Sequence, residues 1–371
     1  MFGISGMGKC SYTWFLWTCP EPTWKGSKKY CIFHDRSEEK DIELFKQKLK
    51  EKLDKKDYEF TGYYFPEEVN FSHLKFEEDA YFSDATFQRN AYFSYATFKR
   101  NAYFIGATFR RNAYFNFAIL QRNTDFIGAT FRRNAYFNFA AFQNASFKEA
   151  IIRENLEFNP KSIEALDLRR THFFLSGYIT ADLTKTRFHF ADLENVAFIG
   201  CVWPERIYEE IHMDEENLTF KELETIYRDL KQNMQRHGDH IMVGKFFYRE
   251  MEMKKKGSEN KIKRAWLEIY NLLAGYGEKP ERTAFSSLFI ILAFAFIYWI
   301  SECLDYAAKN IGHFEEFIYA MYFSFVTFTT LGLGDIKPLT HVGRILICCE
   351  AVIGAFLIAL FVVVFARKMM R

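Results

Sequence analysis

Large apolar residues fall through the first half of the chain at a spacing that neither a helix nor a flat strand produces. Phe60, Phe65, Phe71, Phe76, Phe82, Phe87, Phe93, Phe98, Phe104, Phe109 and Phe115 step alternately by five and six. Leu120, Phe126, Phe131 and Phe137 continue the alternation, and Phe142 and Phe147 follow by fives. Helices repeat every 3.6 residues and strands every two, so a square coil is predicted, with about 22 residues to a turn. Small residues stand two positions before most of these Phe, at Ala80, Ala85, Ala91, Ala96, Ala102, Ala107 and Ala113. Alternating large and small inward positions would fill a narrow tube without voids. A strict five then holds at Ala181-Asp182-Leu183, Phe188, Ala191-Asp192-Leu193 and Phe198.

Helical periodicity flanks this region. Ile42, Leu44, Phe45, Leu49 and Leu53 predict a short amphipathic helix before it. After Pro204, Phe220, Leu223, Ile226, Tyr227 and Leu230 mark one helix, and Val243, Phe246, Phe247 and Met251 a second. The break at His237-Gly238-Asp239 makes them an α-helical hairpin linker. Two long apolar runs follow, over 284–300 and 342–365, each near the ~20 residues of a bilayer-spanning helix. Between them 314–328 is aromatic-rich but polar at its start, which fits a short re-entrant helix followed by irregular backbone. Such backbone is tolerated at membrane depth where protein buries it or water lines it.

The repeat resembles the pentapeptide-repeat family, whose consensus is Ala-Asp/Asn-Leu-x-x. The resemblance implies a right-handed quadrilateral β-helix, a pentapeptide-repeat solenoid, over 60–203. About seven turns at the ~4.8 Å strand spacing would make a rod of roughly 30 Å. Its open ends need capping, by a helix within 41–59 and by the Trp203-Pro204 boundary. Asn90, Asn101, Asn112, Asn123 and Asn134 are the inserted sixth residues, expected at left-handed corners. Each follows an arginine: Arg89, Arg100, Arg111, Arg122 and Arg133 recur every eleven residues. Half a turn separates neighbours, so two ladders on opposite faces are expected, Arg89/Arg111/Arg133 and Arg100/Arg122. They are either a solvated face or a contact for an anionic partner, lipid headgroup or ligand. No base-reading pattern points to nucleic acid.

The segment 329–335 reads Thr-Thr-Leu-Gly-Leu-Gly-Asp. Alternate glycines let carbonyls turn to one side, where they can replace the water shell of a cation. Here the chain resembles the two-transmembrane, one-pore-loop potassium channel family, whose filter reads Thr-Val-Gly-Tyr-Gly-Asp. Pro338, Gly343 and the aromatics of Tyr322-Phe323-Ser324 also fall where that family has them. The resemblance implies a selectivity filter of Thr330, Leu331, Gly332, Leu333, Gly334 and Asp335, K+ as permeant ion, an inner-helix hinge at Gly354 and a homotetramer. The departures are Leu331 for Val and Leu333 for Tyr. The second removes a ring and hydroxyl, which leaves a non-selective cation channel as an alternative. A membrane-tethered binding scaffold with a vestigial pore is the rival from another class.

Composition changes this picture little. The net charge is +2 and says nothing of partners. Basic residues precede the first span (Lys261, Lys263, Arg264, Lys279, Arg282) and follow the second (Arg367, Lys368, Arg371), while the connecting loop carries Glu302, Asp305, Glu315 and Glu316. The positive-inside rule then places both termini in the cytoplasm of a multi-pass plasma-membrane protein. Lys254, Lys255 and Lys256 are candidate contacts for anionic membrane lipids, and Trp266, Tyr270 and Tyr276 suit the interfacial belt. No signal-peptide pattern is read at the start. Residues 1–40 hold Cys10, Cys19, Cys31 and His34, a donor set for structural Zn2+. Free cysteines in a loose arm are the alternative. No catalytic constellation is found, so no enzyme is expected. The domain reading is 1–40 zinc-binding segment, 41–59 capping helix, 60–203 solenoid, 204–279 helical linker and 280–371 transmembrane pore domain.

Overall fold

The computed structural model describes residues 8–305 and 312–369, which divide into two compact units at Gly238/Asp239. The first is built on a four-sided β-solenoid. Short parallel strands stack in columns: Thr86–Phe87 lies between Tyr64–Phe65 and Thr108–Phe109, and Ala91–Tyr92 between Val69–Asn70 and Ala113–Tyr114. The Phe76 and Ala80 columns form the other two sides. They merge where Ile119–Asp125 and Ala141–Ser146 run round a corner. The sheets stack six, seven and eight strands.

The expected inward positions are the core. Phe76, Phe82, Phe87, Phe93, Phe98, Phe104 and Phe109 are fully buried, with Ala80, Ala85, Ala91 and Ala96 between them. Rings on successive turns stack face to face, Phe87 on Phe109 at 4.7 Å and Phe76 on Phe98 at 4.4 Å. Ring spacing and strand spacing coincide, so one side chain satisfies both contacts. Each buried Phe contributes about 1.5–3 kcal/mol. The rise of fives over sixes shortens the turn: Ala102 faces Thr124, Thr124 faces Ala145, and Leu166 faces Thr186.

The corners differ from expectation. Positive φ falls at Asp84, Tyr95, Gly106, Phe117, Gly128 and Phe139, two residues after an inward Phe, and not at Asn90, Asn101, Asn112, Asn123 or Asn134. The asparagines instead form a ladder. Asn90 Oδ1 accepts the N–H of Asn112 at 3.2 Å, and Asn112 Oδ1 that of Asn134 at 3.3 Å. Their short amides thus satisfy the corner backbone without a left-handed turn.

Both open ends are covered. At the start, α1 (Ile42–Asp54) buries Phe45 and Leu49, and Phe45 packs on Phe65 at 5.7 Å. Phe33 stacks on Tyr63 at 4.4 Å, and its carbonyl accepts the Tyr64 N–H. Lys40 Nζ donates to the Tyr64 carbonyl at 2.6 Å, and burial pushes its ammonium down to about 7. At the far end Trp203 packs on Phe188 and Phe198, followed by α2 (Tyr208–Ile211) and α3 (Phe220–Arg236). α3 buries Leu223, Ile226, Tyr227 and Leu230, and Asn233 Nδ2 donates to the carbonyls of Leu193 (2.6 Å) and Val196 (2.8 Å). This helix therefore belongs with the solenoid.

The second unit comprises α4 (His240–Lys256), α5 (Lys261–Ala274), α6 (Pro280–Ser301), α7 (His313–Phe328) and α8 (His341–Met369). α6 and α8 are long and apolar enough to cross a membrane. Gly275, Tyr276 and Gly277 all take positive φ between α5 and α6. Tyr276, expected at the interfacial belt, is instead fully buried and donates to Glu252 at 2.7 Å. Trp266 is exposed, on an α5 face that also shows Ile262, Ile269 and Leu272.

Candidate functional site

α6, α7 and α8 pack around one another, and α7 delivers the chain to the segment 329–335. The last turn of α7 is held by bonds from Thr330 N–H to the Thr327 carbonyl and from Leu331 N–H to the Val326 carbonyl, both 3.0 Å. Beyond it φ alternates in sign: Thr330, Gly332 and Gly334 are at +57°, +58° and +75°, while Leu331 and Leu333 are not among the positive-φ residues. Thr330 is the one β-branched residue at positive φ among the described residues. Such a conformation costs on the order of 1–3 kcal/mol and persists at functional sites. Leu331 and Leu333 are 63 % exposed in the single chain, and a Cβ on Gly332 or Gly334 would meet nothing. Conformation, and not crowding within this chain, is what calls for glycine there.

The far side of the segment is tied back to α7. Asp335 accepts a hydrogen bond from Tyr322 at 2.8 Å, and Ile336 is buried. A two-stranded pairing of Leu304–Asp305 with Lys337–Pro338 closes the loop onto the end of α6. The sequence marks Tyr322 only as a pore-helix aromatic. Its hydroxyl ties Asp335 back to α7, a bond that Leu333, lacking a phenol, cannot make.

A second feature lay outside the sequence reading. Glu350, in the middle of α8, is fully buried. Tyr298 of α6 donates to it at 2.8 Å, and Ser324 of α7 hydrogen-bonds to it while standing 2.8 Å from the Ile291 carbonyl. One carboxyl group thus joins three helices behind the 329–335 segment. A single acid in an apolar helix is the signal that could have found it, since buried intramembrane charges are paired or functional. Gly354, one turn further along, is also buried; a Cβ there would run into the Phe328 carbonyl. α8 runs unbroken through it. Its C-terminal end pairs Arg367 with Glu278 (3.3 Å) and Lys368 with Glu281 (3.6 Å). Of the basic run on α4, Lys255 is engaged by Glu252 (3.2 Å) and Glu268 (2.8 Å); Lys254 and Lys256 have no such pairing among the described residues.

Cys10, Cys19, Cys31 and His34 come together. Their ligand atoms all lie within 4.8 Å of one another, and all four residues are buried. Cys19 Sγ and Cys31 Sγ are 3.8 Å apart, and His34 Nδ1 is 3.0 and 3.5 Å from the sulfurs of Cys31 and Cys10. A tetrahedron with Zn–S bonds of about 2.3 Å has edges of about 3.8 Å. His34 Nε2 lies 2.8 Å from the Thr61 carbonyl, which fixes the ring with Nδ1 facing the sulfurs. Tyr12 stacks on the imidazole at 4.1 Å and donates to Asp84 at 2.7 Å, fastening the cluster to the solenoid.

Arg89, Arg111 and Arg133 line a common groove on one corner of the solenoid. Arg100 of the other ladder pairs with Glu78 at 3.0 Å.

Comparison with protein families matches residues 285–371 to a family described as ion channel. Residues 60–108 and 104–151 match a family described as pentapeptide repeats, in nine copies. No curated protein and no solved structure matches the chain.

Proposed function

As the chain joins an ion channel domain to a run of pentapeptide repeats, we propose that it forms a homotetrameric cation channel, permeable to K+, with a regulatory or docking solenoid. The observation that carries this is the alternation of φ at Thr330, Gly332 and Gly334 between two membrane-apt helices. A backbone of that kind can present successive carbonyls to one axis, where they substitute for the hydration shell of a cation. One such segment supplies only part of a coordination ring, and a cyclic tetramer completes it. The carbonyls of Thr330, Leu331, Gly332 and Leu333 and the Thr330 hydroxyl would hold the ion, with Asp335 at the outer mouth. Gly354 would serve as the inner-helix hinge. Both termini would lie in the cytoplasm of a plasma-membrane protein.

The non-selective reading rests on Leu333, whose exposed aliphatic chain has no polar group with which to tie the outer turn. Flux from liposomes with K+ against Na+ decides between the two. Absence of flux in tetrameric, correctly folded protein would leave the scaffold reading. Zn2+ at Cys10, Cys19, Cys31 and His34 would be structural, because four protein donors leave no open position for chemistry.

A further inference from the structure

The solenoid corner between the Thr86–Phe87 and Ala91–Tyr92 sides is unlike the rest of the surface. Arg110, Arg132 and Arg153 stand on consecutive turns, their backbone N–H groups donating to the carbonyls of Phe87, Phe109 and Phe131 at 2.8–2.9 Å. Arg89, Arg111 and Arg133 form a parallel column. All six are exposed and line one open groove of about 790 Å³, whose wall also includes Tyr64, Pro66 and Glu154. Arg133 pairs with Glu154. Arg89, Arg110, Arg111, Arg132 and Arg153 pair with no acid among the described residues.

Elsewhere on the solenoid several bases meet an acid, although Arg122 pairs with none among the described residues. Lys99 meets Glu77 at 2.6 Å, Arg100 meets Glu78 at 3.0 Å, Arg170 meets Glu149 at 3.4 Å and Lys185 meets Glu164 at 3.2 Å. On the opposite corner the next positions are Gln121 and Arg122, then Gln143 and Asn144. Solubility is served by interspersed charge, not by like charges stacked at the ~4.8 Å spacing of strands. The column is also short. Glu68 and Glu154 both line the adjoining hollow, and Glu154 takes the place of an arginine on the turn after Arg133.

We propose that this corner binds a compact, multiply phosphorylated anion. Guanidinium forks match phosphate oxygens two at a time, and a fixed ladder of them presents several forks within a few turns. The groove volume lies in the range of small-molecule sites. An extended polyanion or a membrane surface would run past the basic turns and bring its charges onto Glu68, whereas Glu154 is held by Arg133. The site stands on the solenoid alone, so it does not depend on conduction.

The test is isothermal titration calorimetry of the full chain in detergent at physiological salt. The probes are inositol hexakisphosphate, magnesium-free ATP and inorganic phosphate. At least one of the two compact polyphosphates should bind, with inorganic phosphate weaker. Binding of the inositol phosphate alone points to a cyclitol source, and of ATP alone to a nucleotide. Arg111→Gln with Arg132→Gln should weaken binding by about tenfold or more, while Arg100→Gln with Arg122→Gln should leave it unchanged. Arg111→Lys with Arg132→Lys keeps the charge and should still lose affinity if the forks matter. Circular dichroism checks that each variant is folded. Absence of binding by both polyphosphates, or equal loss from the opposite corner, overturns the proposal. So does tighter binding to anionic vesicles or an oligonucleotide through the same arginines. Liposome flux, measured separately, reports on the channel reading.

Discussion

Three residues in the pore-forming unit are placed where substitution has a sharp physical consequence. Gly332→Ala or Gly334→Ala puts a Cβ at positive φ, at about 1–2 kcal/mol per residue, in the conformation that alternates the carbonyls. Cation flux from liposomes should be lost in either variant; undiminished flux would remove the filter assignment. Glu350→Leu strips Tyr298 and Ser324 of their shared partner in a buried site. Ser324 keeps the Ile291 carbonyl, but Tyr298 is left unsatisfied at about 1–3 kcal/mol, so the thermal unfolding midpoint in detergent should fall. Glu350→Gln keeps an acceptor for Tyr298 and a group for Ser324 and should stay close to the parent. If Gln and Leu destabilise equally, the hydrogen bonds among the three helices carry no stability.

At the scale of elements, the solenoid's two caps have different chemistry. The first is the Cys/His cluster, which has little apolar core of its own and would be organised by metal. Elemental analysis should find about one zinc per chain, lost in Cys31→Ser, with protease cleavage appearing ahead of Phe60. Metal-free protein prepared without chelator would favour free thiols. The second cap includes α2, whose Glu209 is fully buried and accepts the N–H groups of Phe188 and His189, the latter at 2.9 Å. Its other oxygen has no hydrogen-bond partner among the described residues. Burial raises this carboxyl above its ordinary 4.5 despite those two bonds. The folded state therefore holds the proton more tightly than the unfolded chain. The stabilisation is complete below pH 4.5 and is lost as pH rises through the raised value. Glu209→Gln should flatten that part of the unfolding-midpoint profile, and superimposable profiles would show that the carboxylate is not confined.

For the whole molecule, the division at Gly238/Asp239 sets where the chain can be cut. Removal of 1–203 alone would take away the solenoid end to which α3 is tied through Asn233, leaving the helix and its buried Leu223, Ile226, Tyr227 and Leu230 without the rest of their compact unit. Removal of 1–238 takes the helix with its partner. The shorter deletion should aggregate, whereas the longer should assemble and pass cations with a changed open probability. Identical gating in the cut and full channels would make the solenoid a docking arm. Size-exclusion chromatography and single-channel recording distinguish these outcomes.

Much of this architecture was legible in one dimension because its determinants are periodic or local. The five-and-six spacing of Phe predicts the square coil, since every turn repeats the same inward contact with the turn before. Two apolar runs predict two spans by length, and the alternate glycines mark where φ must turn positive. The Cys/His donors were legible as a set, although only the folded chain brings Cys10 and Cys19 to Cys31 and His34 across their long loops. Tertiary structure decided what depends on pairing between distant positions. It sent the left-handed corners to Tyr95 and Phe117 and made the asparagines a ladder. It buried Tyr276 against Glu252 and enclosed Glu350 between Tyr298 and Ser324. It also distinguished two arginine ladders that look equivalent in sequence: each has one member paired with an acid, Arg100 with Glu78 and Arg133 with Glu154, but only Arg89, Arg111 and Arg133 share a groove with a second column of Arg110, Arg132 and Arg153. Periodicity determines which residues face inward; which of the outward ones meet a partner depends on what the next turn brings beside them.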